Sequence, residues 1–168
     1  MDRLIELLNK MKVSGIISNY AIGGATALVY YFEPINTQDI DVFTVLNSKN
    51  DVLVNLSPIY DFLKKEKCKF EKEFVLIQNI PVQFLVPYNE LLTEAVEKGK
   101  YVSYGRKKIR IFDLEYLMAI MIQTGRLKDK ARLSDLVLQK IKFDAKKLNT
   151  ILKKFSLYEK WLELKETF

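Results

Sequence analysis

Apolar and polar residues recur along the chain in patterns that predict both helices and strands. A short apolar run at 20–22 predicts a buried strand that leads into Gly23 and Gly24, and residues 25–31 return to helical spacing. Residues 39–43 alternate between polar and apolar types, as in a strand with one buried face. Before these, the first amphipathic helix is predicted by the apolar positions Leu4, Ile5, Leu7, Leu8 and Met11.

The rest of the chain mixes further strands with helices and then becomes entirely helical. The predicted elements are a helix over 58–67, strands over 70–77 and 81–86, a helix over 89–98 capped by Gly99, and a hairpin of 101–104 and 108–112 around Gly105. Four helices follow, beginning near Asp113, Leu127, Asp144 and Ser156. This order predicts the α+β class, with a small mixed sheet flanked by helices and a C-terminal helical segment.

One domain is expected to contain all 168 residues. The sequence has no internal repeat, low-complexity tract or Gly/Ser-rich linker that would mark a boundary. Within this domain we expect an α+β core over 1–112 and a helical part over 113–168.

Composition excludes several kinds of chemistry. Histidine is absent and Cys68 is the single cysteine, so catalytic His-dependent triads, histidine-bound metals, thiolate zinc clusters and an internal disulfide are ruled out. Any chemistry must therefore use carboxylates, lysines, hydroxyls, backbone amides and hard metals that bind oxygen.

No targeting or membrane-spanning segment is predicted. The longest nearly uncharged stretch, residues 21–32, is shorter than the roughly 18 residues that suggest a membrane span. The N-terminus lacks the apolar core of a signal peptide. We therefore expect a cytoplasmic protein that does not bind membranes.

The net charge of +6 comes entirely from the end of the chain. Residues 1–125 hold fifteen basic and fifteen acidic residues, whereas residues 126–168 hold twelve basic and six acidic ones. A polyanionic partner near the C-terminal part would explain this asymmetry. Lysines on solvated helix faces would explain it equally well.

The strongest chemical signal joins the paired glycines to two aspartates. Asp39 and Asp41 are two residues apart in a predicted strand, so their carboxylates are expected to lie side by side. Two such carboxylates repel each other unless they share a cation, and Mg²⁺ is suited to this position because it prefers oxygen ligands. Gly23 and Gly24 precede a helix, where backbone amides can approach phosphates. Together they predict a phosphoryl- or nucleotidyl-transfer site.

Each of these features also has a purely structural interpretation. The glycines could form a tight strand-to-helix turn, and the aspartates could be two polar residues on a strand edge. Arg126, Lys128 and Asp129 could simply cap and charge a helix junction.

The motifs resemble the signature of the nucleotidyltransferase superfamily, whose fold is like the palm of DNA polymerase β. Residues 21–28 (Ala-Ile-Gly-Gly-Ala-Thr-Ala-Leu) with Asp39-Ile40-Asp41 are similar to the AbiEii-type branch, found in abortive-infection and toxin–antitoxin systems. The segment 117–129, which ends in Gln-Thr-Gly-Arg-Leu-Lys-Asp, is similar to the Arg-x-Lys-Asp helix junction of that branch. The resemblance extends from about residue 15 to residue 140.

This resemblance implies a role for each matching residue. Gly23 and Gly24 would hold the β- and γ-phosphates of a nucleoside triphosphate, and Asp39 and Asp41 would be the catalytic Mg²⁺ ligands. The basic residues of the helix junction would contact the nucleotide phosphates or organise the site: Arg126 and Lys128.

Two positions depart from the family pattern. Many active members have a third carboxylate on a neighbouring strand, where this chain has Gln83, and a glutamine can neither take a proton nor bind a metal strongly. Met121 stands about where AbiEii-type members often have a lysine, a position for which Lys128 could substitute in space.

The resemblance implies Mg²⁺-dependent transfer of a nucleoside monophosphate from a nucleoside triphosphate to an acceptor hydroxyl, with tRNA or a protein as acceptor. The alternative is a catalytically silent nucleotide-binding protein that acts as a partner in a toxin–antitoxin-like system. A transferase that modifies antibiotics is a third possibility, but a cationic drug would need an acidic cleft that the neutral N-terminal part does not predict.

Overall fold

The computed structural model describes residues 1–32, 37–47 and 55–168. The described helices are α1 (Asp2–Val13), α2 (Gly24–Leu28), α3 (Ser57–Lys65), α4 (Glu90–Glu97), α5 (Leu114–Thr124), α6 (Leu127–Leu138), α7 (Ala145–Lys154) and α8 (Tyr158–Lys165). The described strands are β1 (Ile17–Ile22), β2 (Ile40–Leu46), β3 (Lys69–Glu71), β4 (Phe74–Ile77), β5 (Ile80–Leu85), β6 (Lys100–Tyr104) and β7 (Lys107–Ile111).

All seven described strands form one mixed sheet in the order β3-β4-β5-β2-β1-β7-β6. The central pair, β1 and β2, is antiparallel, whereas β2 pairs with β5 and β1 with β7 in parallel. Hairpins extend the sheet at both edges. The predicted α+β class, with a small mixed sheet and a helical C-terminal part, is confirmed. None of the helices in the described ranges is long and apolar enough to cross a membrane.

The faces of β2 explain where a site can form. Ile40, Val42 and Thr44 are buried, while Asp41 and Phe43 on the opposite face are only half-buried. Because side chains alternate along a strand, one face of β2 is sealed in the core and the other is left for a cavity.

One predicted strand is in fact two. The prediction of a single strand over 70–77 is wrong because Lys72 adopts a left-handed φ of 53° and turns the chain between β3 and β4. All three residues of β3 are exposed, so no buried face produces the alternation by which a separate strand is recognised.

Some helix boundaries also differ from the prediction, as does the conformation of one capping residue. Helix α2 ends at Leu28, whereas helical spacing extended the prediction to Tyr31. The last helix begins at Tyr158, two residues after the predicted start. Gly99 does follow the end of α4, but it lacks the expected left-handed conformation; a Cβ there would lie 3.1 Å from the Cβ of Ala21, so close packing explains this glycine.

Asp113 connects the sheet to the C-terminal helices. Its side chain caps α5 by accepting from the Leu114 amide, and it forms ion pairs with Lys147 of α7 and with Lys100 at 3.2 Å. Burial acts to raise the pKa of Asp113, but the hydrogen bonds from Lys147 and Lys100 outweigh it and hold that pKa below its usual value. The Asp113 carboxylate therefore stabilises the docking of α7.

Replacing Asp113 by Asn is expected to lower the unfolding free energy at neutral pH by about 1–3 kcal/mol, because a charge-assisted pair is lost while Asn still caps the helix. The pKa of Asp113 is lower in the folded protein than in the unfolded chain. The stability that the carboxylate contributes is therefore present above the usual Asp pKa and is lost as the pH falls through the pKa of the folded protein. Urea denaturation at several pH values should show the two proteins converging in acid. Asp61→Asn, at an exposed position 3.8 Å from Lys64, is the control and should change little. Equal stability of the Asp113→Asn protein at neutral pH would contradict this role.

Candidate functional site

A cavity of about 270 Å³ lies between the sheet and the C-terminal helices. Strands β2 and β5 contribute one side, and α5 with the start of α6 contributes the other. Its charged and amide-bearing lining residues are Asp41, Gln83, Arg126, Asp129 and Arg132. The cavity thus brings together five polar residues that are up to 91 positions apart in the sequence.

Asp41 and Gln83 are neighbours across two parallel strands. They stand opposite each other in the register of β2 and β5, and both line the cavity. A carboxylate and a side-chain amide therefore stand side by side at the position where the family resemblance predicts two carboxylates.

Gly24 lies directly against the Asp41 carboxylate. Its φ of 56° is left-handed, and a Cβ built on it would lie 2.2 Å from Oδ2 of Asp41. No side chain fits in this space while the carboxylate keeps its position. Gly24 is thus required by both the backbone conformation and the close approach of Asp41.

Gly23 has a different role from Gly24. Its amide donates to the carbonyl oxygen of Asp41 at 3.0 Å, and a Cβ at this position would meet the rings of Phe43 and Phe112 at 2.7 and 2.9 Å. Those two rings are themselves packed with centroids 5.0 Å apart. Gly23 therefore joins β1 to β2 through its amide and leaves room for an aromatic pair. Its contact with phosphate stays a prediction.

Asp39 lies just before β2 and borders a second cavity. This neighbouring cavity, of about 460 Å³, also contacts Thr26 and Tyr30. The Asp39 carbonyl oxygen accepts hydrogen bonds from the hydroxyls of Thr26 and Thr37 at 3.0 and 2.9 Å. The two aspartates are therefore close in the fold but line different cavities, where the alternation along a strand predicted a shared face.

The electrostatics of Asp41 favour a bound cation. Burial raises its pKa above the usual value, and the negative charge of Asp39 raises it further. The positive charges of Lys128, Arg126 and Arg132 act in the opposite direction without cancelling these effects. A carboxylate in this environment gains stability when a cation binds to it.

The helix junction combines a structural and a solvent-facing role. Asp129 is only 1% exposed, and its Oδ2 accepts from Nε of Arg126 at 2.6 Å and from the Thr124 hydroxyl at 2.7 Å. Asp129 therefore links the end of α5 to the start of α6 through side chains, but no side chain caps α6. The Arg126 side chain is 58% exposed and also lines the cavity, so it remains available to a ligand.

Two other basic residues near the cavity, Lys128 and Arg132, differ from what the sequence predicts. Lys128 does not line the cavity, although its charge acts on Asp41. Arg132 does line it and lies 3.9 Å from Asp129, but the sequence interpretation missed it. Its three-residue spacing from Asp129 is the signal that could have placed both on one helix face. Met121 lines the cavity at the position where a lysine was expected.

The oxygen donors at this site are of the kind that bind hard cations such as Mg²⁺. Within the described ranges, no group of three or more His, Cys, Asp or Glu side chains is arranged to hold a metal ion. Two electrostatically coupled carboxylates are present, and Gln83 stands opposite Asp41 in the strand register. Mg²⁺ is commonly held by one or two carboxylates together with water and substrate phosphates, so the residues fit this ion.

The fold is similar to solved structures of nucleotidyltransferase-like proteins. A nucleotidyltransferase-like protein from Paracoccidioides brasiliensis matches at a TM-score of 0.52 and 15% identity, covering 92% of this chain and 87% of that one. A candidate nucleotidyltransferase from Thermotoga maritima matches at a TM-score of 0.46 and 17% identity, covering 81% of this chain and 91% of that one. No protein-family model and no curated protein sequence matches. The first similarity confirms the predicted nucleotidyltransferase fold.

Proposed function

We propose that this protein is a Mg²⁺-dependent nucleotidyltransferase that moves a nucleoside monophosphate from a nucleoside triphosphate to an acceptor hydroxyl. The observation that carries the proposal is the environment of Asp41. Its carboxylate is half-buried beside Gly24 and faces a cavity that Arg126 and Arg132 also line. This arrangement combines a cation-binding group with counter-charges for phosphates, and it occurs in a nucleotidyltransferase fold.

Asp39 and Asp41 are the proposed Mg²⁺ ligands, with Gln83 as a neutral oxygen donor. The raised pKa of Asp41 supports this assignment, because burial and the charge of Asp39 are both offset when a cation is bound. When bound, the ion would polarise the phosphate oxygens and neutralise charge on the departing pyrophosphate.

The arginines and the glycine turn bind and orient the triphosphate in this proposal. The acceptor oxygen bonds to the α-phosphorus, the bond to pyrophosphate breaks, and the acceptor proton passes to water because Gln83 cannot accept it. Arg126 and Arg132 provide positive charge, while Asp129 holds the Arg126 guanidinium at 2.6 Å. Lys128 lies outside the cavity lining, and its proposed contribution is an electrostatic field at the site.

We extend the proposal to the AbiEii-type branch, with tRNA or a protein as acceptor. The sequence of motifs supports the branch, and the excess of basic residues after position 125 supports an anionic acceptor such as tRNA. A cytoplasmic location is part of this proposal.

Incubation with each α-labelled nucleoside triphosphate, Mg²⁺ and total RNA tests the function. We expect label to enter RNA or protein with the natural chain but not with the Asp39→Ala/Asp41→Ala variant. Analysis of the labelled product would identify both nucleotide and acceptor. Equal labelling by the two proteins would contradict the proposed site, and no labelling with any nucleotide would contradict transfer activity.

The alternative is a silent nucleotide-binding protein that acts as a partner in a toxin–antitoxin-like system. The position of Gln83 favours it, because this amide stands opposite Asp41 in strand register and cannot replace a carboxylate as proton acceptor. A Mg²⁺-dependent thermal shift with nucleoside triphosphates, in the absence of label transfer, would support this alternative.

Gln83→Glu is expected to raise Mg²⁺ affinity about ten-fold and to lower the melting temperature of the metal-free protein. The added carboxylate would attract the cation. When no cation is bound, the same carboxylate would repel the neighbouring Asp41. Calorimetric Mg²⁺ titration and thermal melting measure the two effects, with the exposed Gln139→Glu as control. Unchanged Mg²⁺ affinity would argue against a cation at Gln83. Transfer by the Gln83→Glu variant alone would favour the silent alternative for the natural chain.

A further inference from the structure

The cavity beside Asp41 has a charged end and an apolar wall. Asp41, Arg126 and Arg132 are charged, but much of the remaining lining is hydrocarbon. Strand β5 and the segment after it contribute Leu85 and Val86, and α5 contributes Leu117, Ile120 and Met121. A ligand that fills this cavity must therefore carry both an anionic and an apolar part.

Tyr88 stands at the open edge of the apolar wall. Its side chain is among the most exposed large apolar groups of the described residues, at 74%, yet it still lines the cavity. The ring can therefore be reached from solvent and from the cavity, as a stacking surface for a flat ligand must be.

The backbone that carries Tyr88 is held in position on its C-terminal side. The next residue, Asn89, caps α4 by accepting from the Leu92 amide at 2.9 Å, and its side-chain amide donates to Oε1 of Gln123 at 2.9 Å. Pro87 precedes Tyr88 and restricts the backbone further. The ring is thus presented from a segment tied to both α4 and α5, which reduces the entropy lost when a ligand stacks on it.

The other exposed tyrosines have different surroundings from Tyr88. The Arg110 guanidinium lies 5.8 Å from the ring centre of Tyr101, and Tyr104 borders the neighbouring cavity. Among the described residues, Tyr88 has neither an aromatic ring nor a cation stacked on it. Its face is therefore free for a ligand within the part of the chain that the structure describes.

We propose that the apolar wall and Tyr88 form the nucleobase-binding part of the site, with the base stacked on the Tyr88 ring. This inference rests on the proposed nucleotidyltransferase function and adds where the base binds. A nucleoside triphosphate matches the cavity because its phosphates suit the Asp41–arginine end with Mg²⁺ and its base suits the apolar end. At about 270 Å³ the cavity is slightly below the roughly 300–1,000 Å³ of typical ligand pockets, so it encloses only part of a nucleotide.

The chemistry of the wall also predicts how strongly the site distinguishes bases. Apart from the Tyr88 hydroxyl, the side chains that β5, the segment after it and α5 contribute to the wall are aliphatic or, at Met121, a thioether, and the rings of Phe43 and Phe112 also line the cavity. Stacking accepts every base because each has a π-face, and it is not directed by hydrogen bonds. We expect all four nucleoside triphosphates to bind, with purines bound more tightly because they offer a larger stacking area.

Calorimetric titration of the natural chain and its variants tests the proposal. The ligands are the four nucleoside triphosphates and inorganic tripolyphosphate, each with Mg²⁺, since tripolyphosphate occupies the charged end without a base. Tyr88→Ala is expected to weaken nucleoside triphosphate binding about 5- to 150-fold and to leave tripolyphosphate binding unchanged. Tyr88→Phe should retain affinity because it keeps the ring. Tyr101→Ala is the matched control at another exposed tyrosine and should bind like the natural chain.

The outcomes separate this inference from the function on which it rests. Two outcomes would overturn the base-binding site but leave the proposed phosphate site intact. In one, the natural chain binds tripolyphosphate as tightly as the nucleotides; in the other, Tyr88→Ala leaves nucleotide binding unchanged. Equal weakening of nucleotide and tripolyphosphate binding by Tyr88→Ala would also overturn it, since the residue would then act on the whole cavity. If the natural chain bound none of these ligands, the proposed function would fail and this inference with it.

Discussion

Asp41→Asn is expected to reduce nucleotidyl transfer about 1,000-fold without unfolding the protein. The substitution keeps the size of the side chain but removes the charge that attracts a cation, and metal-ion charge stabilisation in a transition state is worth several kcal/mol. Each 1.36 kcal/mol corresponds to ten-fold in rate, so a loss of about 4 kcal/mol gives this factor. Initial rates of label incorporation under saturating Mg²⁺ measure the effect.

Thermal melting gives an independent measurement on the same variant. Burial and the charge of Asp39 raise the pKa of Asp41, so at neutral pH the ionised carboxylate destabilises the metal-free fold. We therefore expect Asp41→Asn to melt at the same or a higher temperature without Mg²⁺ and to lose the Mg²⁺-dependent increase that the natural chain shows. Asp61→Asn, at an exposed position on α3, is the control and should keep activity and metal response. Transfer by Asp41→Asn at the natural rate would remove Asp41 from the catalytic site.

Gly24→Ala is expected to abolish transfer at a modest cost in stability. An Ala Cβ would lie 2.2 Å from Oδ2 of Asp41, so the carboxylate would have to move from its present position. The left-handed φ of 56° adds about 1–2 kcal/mol of strain for any residue with a Cβ. Transfer assays and urea denaturation measure the two effects separately.

Gly105→Ala is a closely matched control for this substitution. Gly105 has the same φ of 56°, but a Cβ there would meet nothing within 4 Å. The two variants should therefore lose similar stability from backbone strain, while only Gly24→Ala should lose transfer. Equal activity of the two variants would show that the close contact between Gly24 and Asp41 does not matter for function.

Local signals were sufficient for most of the secondary structure. The spacing of apolar residues predicts α1, the alternation in residues 39–43 predicts β2, and Asp113 correctly marks the start of α5 through its capping hydrogen bond. The division of 70–77 into two strands was missed because β3 has no buried face. Periodicity reports burial, so an exposed edge strand gives no signal of its own.

The candidate site was predicted only in part. The motifs indicated Asp41, Gly24 and Arg126, which the fold brings to one cavity, and Asp39, which borders another. Arg132 and Tyr88 were missed because each lies outside the recognised motifs and reaches the cavity through the packing of helices and strands. Strand pairing in three dimensions, not sequence spacing, brings Gln83 beside Asp41.

Residue types and their spacing were enough to predict the α+β class, most helices and strands, and the glycine and aspartate motifs, and to exclude histidine-dependent chemistry, disulfides and thiolate zinc clusters. These features depend on residue types and short-range periodicity, which are visible in a linear chain. The folded chain was needed to find that Asp39 and Asp41 line different cavities, that Gly24 packs on a carboxylate, and that Tyr88 stands at the edge of an apolar wall. These features depend on strand register and helix docking, which bring together residues far apart in sequence.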